Sequence, residues 1–148
     1  MIATRALVRP YVLLAIALLV VNDHVLKSAV PGVITGKLSD FAGLAFFPLV
    51  LAAAAEKCGV RDGMRAIVLA TIATGVVFAS IKLSVSAGEV YRVALAALQW
   101  PVRAVASLVA GESLPAPGRV SLVHDPTDLV ALVALAFPLA VARQTART

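Results

Sequence analysis

The run FAGLAFFPLVLAAAA, residues 41–55, carries no charge over fifteen positions. Three similar runs accompany it: YVLLAIALLVV at 11–21, AIVLATIATGVVFASI at 66–81 and LVALVALAFPLAVA at 129–142. Apolar residues do not alternate with polar ones, and no turn signal recurs at strand spacing, so a membrane β-barrel is excluded. Ala, Leu and Val in unbroken runs specify helix. Each run falls short of the roughly 20 residues a span needs, so each helix must take in polar residues from its ends. Gly43, Gly75, Pro48 and Pro138 are tolerable inside lipid-embedded helices. The reading is an all-α integral membrane protein forming a single domain over 1–148, with spans near 7–26, 38–56, 64–84 and 126–143.

Composition leads to the same class. The 148 residues are 61% hydrophobic and 14% charged, with a mean hydropathy of +0.97. A soluble globule of this size could not cover that apolar surface. Disorder needs low hydrophobicity, and a single cysteine, Cys58, excludes a disulfide scaffold. The basic pI of about 10.0 does not indicate nucleic acid. The 13 Lys and Arg are scattered, and aromatics make up only 5% of the chain, leaving little for base stacking. Arg5 and Arg9 ahead of the first apolar run imitate a signal peptide. Asn22-Asp23-His24 follows that run without a small-x-small cleavage site, so an uncleaved first span is expected.

Charge sorts by side. Arg5, Arg9, Lys57, Arg61, Arg65, Arg143 and Arg147 face only Glu56 and Asp62 on one side. Six basic residues balance six acids on the other. The positive-inside rule then puts both termini in the cytoplasm. Residues 89–110 read as an amphipathic helix lying in the outer interface. Arg92, Gln99, Arg103 and Ser107 share one face opposite Leu95, Leu98, Val102, Val105 and Val109. Trp100 would sit at headgroup level and Pro101 would bend the helix. The rival is a fifth span, opposed by two arginines.

An internal repeat is also visible. SDFAGLA (39–45) matches TDLVALV (127–133), and each runs on to Phe-Pro-Leu, at 47–49 and 137–139. Val25-Leu26-Lys27-Ser28 precedes the first copy and Ser80-Ile81-Lys82-Leu83 the second. Two pseudo-repeated hairpins related by an axis along the membrane normal would give this pattern; shared membrane composition would give it too.

The polar residues needing explanation lie at the outer helix ends. The first apolar run covers only about 16 Å of a roughly 30 Å hydrocarbon core, so Asn22, Asp23 and His24 are drawn towards membrane depth. Ser39 reads as an N-cap with Asp40 on the positive end of a helix dipole. Asp125 reads as a cap, Pro126 as the first helical residue and Asp128 as a capping-box acid. Caps do not explain His24, His124, Lys37, Lys82 and Arg119 on the same side. Three chemistries fit. Asp40 and Asp128 could be paired acids with His24 as a proton carrier. Lys37, Lys82 and Arg119 could hold a phosphate. His24 with Asp23, and His124 with Asp125, could ligate a divalent metal such as Zn or Mn. The plainer alternative is an ion-pair network joining the helices.

These segments resemble the VanZ-like family of small four-span bacterial membrane proteins. The second span there tends to open Asp-Lys-x-x-His-Phe, and Gly36-Lys37-Leu38-Ser39-Asp40-Phe41 matches it at Lys37 and Phe41, with Asp40 in place of His. Gly118-Arg119 followed by Asp125 and Asp128 parallels the family's approach to its last span, with a longer gap and no downstream Asn. Lys82 stands where the family carries Glu or Gln. The resemblance implies an outward-facing polar site between helices, connected with the cell envelope.

The expected function is to bind or process an anionic lipid-linked or phosphate-bearing molecule at that site. A small ion- or proton-coupled transporter is a second reading, opposed by the scarcity of polar groups deep in the spans beyond Thr71 and Thr74. A homo-oligomer or accessory subunit of a larger membrane complex, packing through Ala/Gly faces, is a third.

Overall fold

The computed structural model describes residues 1–30, 32–116, 118, 122 and 124–147. All the regular secondary structure among the described residues is helical: α1 (Ile2–Leu7), α2 (Pro10–Ala29), α3 (Val33–Lys57), α4 (Gly63–Leu83), α5 (Val85–Val109) and α6 (Pro126–Ala146). Among these, α2, α3, α4 and α6 are long and apolar enough to cross a membrane. At 1.5 Å per residue, 20 residues already reach about 30 Å. The polar ends that the apolar runs had to borrow are therefore helical.

The borrowing takes a different form in each span. In α2 the chain passes from α-helix into a π-helical turn at Asn22–Leu26 and continues to Ala29. In α6 the first ten residues, Pro126–Leu135, form a 3₁₀ helix before α-helix resumes at Ala136. A 3₁₀ turn rises about 2.0 Å per residue, so those ten residues reach further than an α-helix of equal length. In α3 the helix starts at Val33, six residues before Ser39. The expected cap at Ser39 is thereby corrected. Thr35 does the capping, its Oγ1 accepting from the Gly32 N–H at 3.2 Å and donating to the Gly32 carbonyl at 2.9 Å. The helix extends past Lys37 and Ser39 because both side chains find partners on neighbouring helices. Pro126 does open α6, as its position suggests.

The described residues divide into two compact units, Met1–Val77 with Thr127–Thr148, and Phe78–Pro126. In the first, the short helix α1 is an addition the hydropathy did not reveal. Arg9 is extended because it precedes Pro10, and Pro10 then occupies the first turn of α2, where its missing N–H costs nothing. The break lets α1 pack against α3 and α6, with Ala3 and Ala6 fully buried. Around them Val12, Leu49, Ala52, Ile67, Val141 and Ala142 form the core. Its alanines let the backbones approach closely. Tyr11 meets Phe137 edge to face, ring centroids 5.9 Å apart, and its hydroxyl donates to Gln144 Oε1 at 2.7 Å.

The same end holds a buried carboxylate. Glu56, near the end of α3, accepts from the backbone N–H groups of Ala3 and Thr4 and from Thr4 Oγ1, each at 2.9 Å. It supplies two of the first-turn amides of α1 with the acceptor a helix start lacks. Gly63 opens α4 directly beneath it: a Cβ there would run into Glu56 Oε1 and come 3.3 Å from Ile2 Cβ. Gly63→Ala should therefore destabilise the fold by about 1–3 kcal/mol, measurable as a lowered midpoint of unfolding in detergent micelles. At the next position, partly buried against the core, the volume-conserving Met64→Leu should leave the midpoint nearly unchanged.

The second unit contains the end of α4 and α5. Ser84 caps α5, its Oγ accepting from the Ala87 N–H at 3.3 Å, so the helix begins at Val85 rather than at 89. It remains one helix across Pro101. Leu98, Val102, Val105 and Val109, placed on one face by their spacing, are all exposed. Trp100 Nε1 donates to the Pro115 carbonyl at 3.0 Å, and Arg92 pairs with Glu89 at 2.8 Å.

Candidate functional site

At the end of the first unit away from Glu56, α3 carries polar side chains on two faces. Thr35 and Ser39, four residues apart, face α2. Lys37 lies about half a turn round from both and faces α6.

On the α2 side the π-turn turns Asn22 inward, where it is fully buried. Its Nδ2 donates to the Thr35 carbonyl and to Ser39 Oγ, both at 2.7 Å. Its Oδ1 is enclosed and has no donor within reach among the described residues. Ser39 Oγ donates in turn to Asp23 Oδ1 at 2.6 Å, and the same oxygen pairs with Lys27 at 2.7 Å. An extra residue in a helical turn re-aims the side chains that follow it, and such π-turns often occur at functional sites. Here it allows Asn22 and Asp23, adjacent in sequence, both to reach Ser39.

On the α6 side, Lys37 Nζ pairs with Asp128 Oδ1 at 2.6 Å and donates to Thr127 Oγ1 at 2.7 Å. Asp128 is nearly buried and Lys37 partly so, their side chains being 9% and 25% exposed. Asp40, one turn after Lys37, is half-buried.

His24 is exposed, with Nδ1 3.0 Å from the Val20 carbonyl. A carbonyl only accepts, so Nδ1 is the donor in this contact. Lys82 belongs to the smaller unit, where it is buried with Nζ 5.4 Å from the centroid of the Phe78 ring. His124 and Asp125 belong to that unit too. The His124 ring lies over Gly88, where a Cβ would come within 2.7 Å of Nε2. Arg119 lies outside the described residues. Among the described residues, no three His, Cys, Asp or Glu side chains gather as a metal site would require.

No protein-family model, curated protein or solved structure matches the chain. The residues themselves therefore carry the functional argument.

The far end offers two small polar sets flanking α3, each mixing a cation with acceptors. One combines Lys27, Asp23 and Ser39 with an amide oxygen awaiting a donor. The other combines Lys37, Asp128 and Thr127. Chemically, the ammonium groups can pair with an anion and Asn22 Oδ1 can accept from a hydroxyl or amine. Ser39, Thr35 and Thr127 were not singled out as partners in the sequence. The spacing of Thr35 and Ser39 on one helical face was the available signal.

Proposed function

We propose that this chain is a small protein of the bacterial cytoplasmic membrane, with both termini in the cytoplasm, whose polar site at the far helix ends holds an anionic lipid-linked or phosphate-bearing molecule. The observation carrying this reading is the enclosed Asn22 Oδ1. A buried acceptor left without a donor costs about 1–3 kcal/mol, and in a native fold such a group calls for a partner. It sits in the π-turn of α2, facing α3, and the adjacent Asp23 holds Lys27 at 2.7 Å. A ligand hydroxyl or amine would satisfy the oxygen while Lys27 and Lys37 meet the anion. If the bound molecule is turned over, Asp40, Asp128 and His24 are the groups suited to proton movement. The similarity of residues 36–41 to the VanZ-like opening supports a role at the envelope. The exposed apolar face of α5 and its tryptophan suit a helix in the outer interface.

The test is thermal unfolding in dodecyl maltoside micelles with dodecyl phosphate added. At concentrations well above Kd the Tm should rise by about 5 °C, and dodecanol should leave it unchanged. Lys27→Gln, at an exposed position and so safe for folding, should lose at least half of the rise. An equal rise in Lys27→Gln and with dodecanol would defeat the proposal.

A second reading is that the chain is an accessory subunit whose charges only join its helices. The closed Lys37–Asp128 pair between α3 and α6 favours it. Under that reading dodecyl phosphate has no effect on any variant.

A further inference from the structure

A second feature lies at the opposite end, where the chain termini meet the α3–α4 turn. A groove of about 650 Å³ runs between α3 and α4, within the roughly 300–1,000 Å³ range of ligand clefts. Its walls are apolar: Leu51 and Ala55 from α3, Leu69, Ala70 and Ala73 from α4. These α4 positions recur at helical spacing, so the groove follows the helix axis. From Gly63 to Ala73 is ten residues, about 15 Å at 1.5 Å each. That is half of a roughly 30 Å hydrocarbon core, the depth of one leaflet.

The mouth differs chemically from the walls. Arg61, Asp62 and Arg65 line it. Asp62 is committed to the start of α4, its Oδ1 accepting from the Arg65 N–H at 2.9 Å. Neither the Arg61 nor the Arg65 guanidinium makes an ion pair among the described residues, and both side chains are exposed. Two unneutralised forks at the headgroup level of an apolar groove one leaflet deep are complementary to a phosphate with an acyl chain attached. A water-soluble phosphate would not use the walls, and an apolar helix from another chain would leave the arginines unanswered.

We infer that this groove holds an anionic phospholipid, its acyl chain between α3 and α4 and its phosphate between Arg61 and Arg65. The inference is independent of the polar site at the other end and stands if that site binds nothing.

Native mass spectrometry of the whole protein, released from micelles doped with equal phosphatidylglycerol and phosphatidylcholine, tests it. The wild-type chain should retain phosphatidylglycerol about tenfold over phosphatidylcholine, from two arginines near the surface. Arg61→Gln with Arg65→Gln should bring the ratio near one. Arg143→Gln, which removes an exposed charge from the same end, should leave it unchanged. Ala73→Trp, which fills the groove from an exposed position, should lose both adducts. Equal retention of the two lipids by the wild type, an undiminished preference in the double variant, or an equal loss in Arg143→Gln would each overturn the inference. So would a dimer carrying no lipid, which would put a second copy in the groove.

Discussion

Glu56→Ala is expected to lower the stability of the protein by about 3 kcal/mol, among the largest single-site losses. The carboxylate accepts three hydrogen bonds from the first turn of α1. Its removal leaves the amides of Ala3 and Thr4 without acceptors, at about 1–3 kcal/mol for each one that stays buried. The helix they open contributes Ala3 and Ala6 to the core, so fraying of α1 would propagate into the packing of α3 and α6. Glu56→Gln keeps one acceptor oxygen and should recover about half of the loss. Unfolding midpoints in mixed micelles at a fixed detergent ratio decide this. A Glu56→Ala protein as stable as wild type would show that α1 is held by its alanines alone.

Asp128→Ala should cost a comparable amount for another reason. It removes the carboxylate 2.6 Å from the partly buried Lys37 ammonium, and breaking a buried pair costs about 3–5 kcal/mol. Lys37→Ala takes this cation from the more deeply buried Asp128 and should cost a comparable amount. The double variant should be less destabilised than the sum of the two, by about 0.5–3 kcal/mol, because each single variant already loses the contact between them. Strict additivity in that cycle would mean that the 2.6 Å contact contributes nothing to joining α3 and α6. The Asp23–Lys27 pair is more exposed, and breaking it should change stability by less than about 1 kcal/mol.

The membrane class and the four long helices were legible because hydropathy over 15-residue stretches is insensitive to detail. Helix ends were less so. Ser39 carries the signature of a cap, yet its hydroxyl serves a tertiary bond between Asn22 and Asp23, and α3 begins well before it. Whether a Ser caps its own helix or bridges to another depends on what lies across from it, which one sequence does not reveal. The π-turn at Asn22 and the 3₁₀ opening of α6 have no composition signal, since both arise from fitting polar ends between packed helices. The short helix α1 escaped because six residues hold too little apolar length to register. The lone acid of the Ala55-Glu56-Lys57 segment read as a counter-charge for topology, whereas it anchors α1.

Site residues divided along similar lines. Lys37 and Asp128 could be named because charges near membrane depth demand an explanation, and they meet. Asp23 and His24 were named as a pair, but the π-turn sends Asp23 to Ser39 and Lys27 and leaves His24 against its own backbone. Asn22 proved the more informative neighbour. An amide with both donors used and its oxygen enclosed is visible only once the partners are placed.

The central claim is that the far helix ends hold an anion and do more than join spans. The charge-reversed pair Lys37→Asp with Asp128→Lys separates the two. It restores the ion pair between α3 and α6 while moving the cation off α3. Measured by thermal unfolding in micelles, it should return to within about 1 kcal/mol of wild-type stability and lose the rise in Tm that dodecyl phosphate gives the wild type. A full rise in the reversed protein, or none in the wild type, would contradict the claim and leave these charges the task of joining the helices.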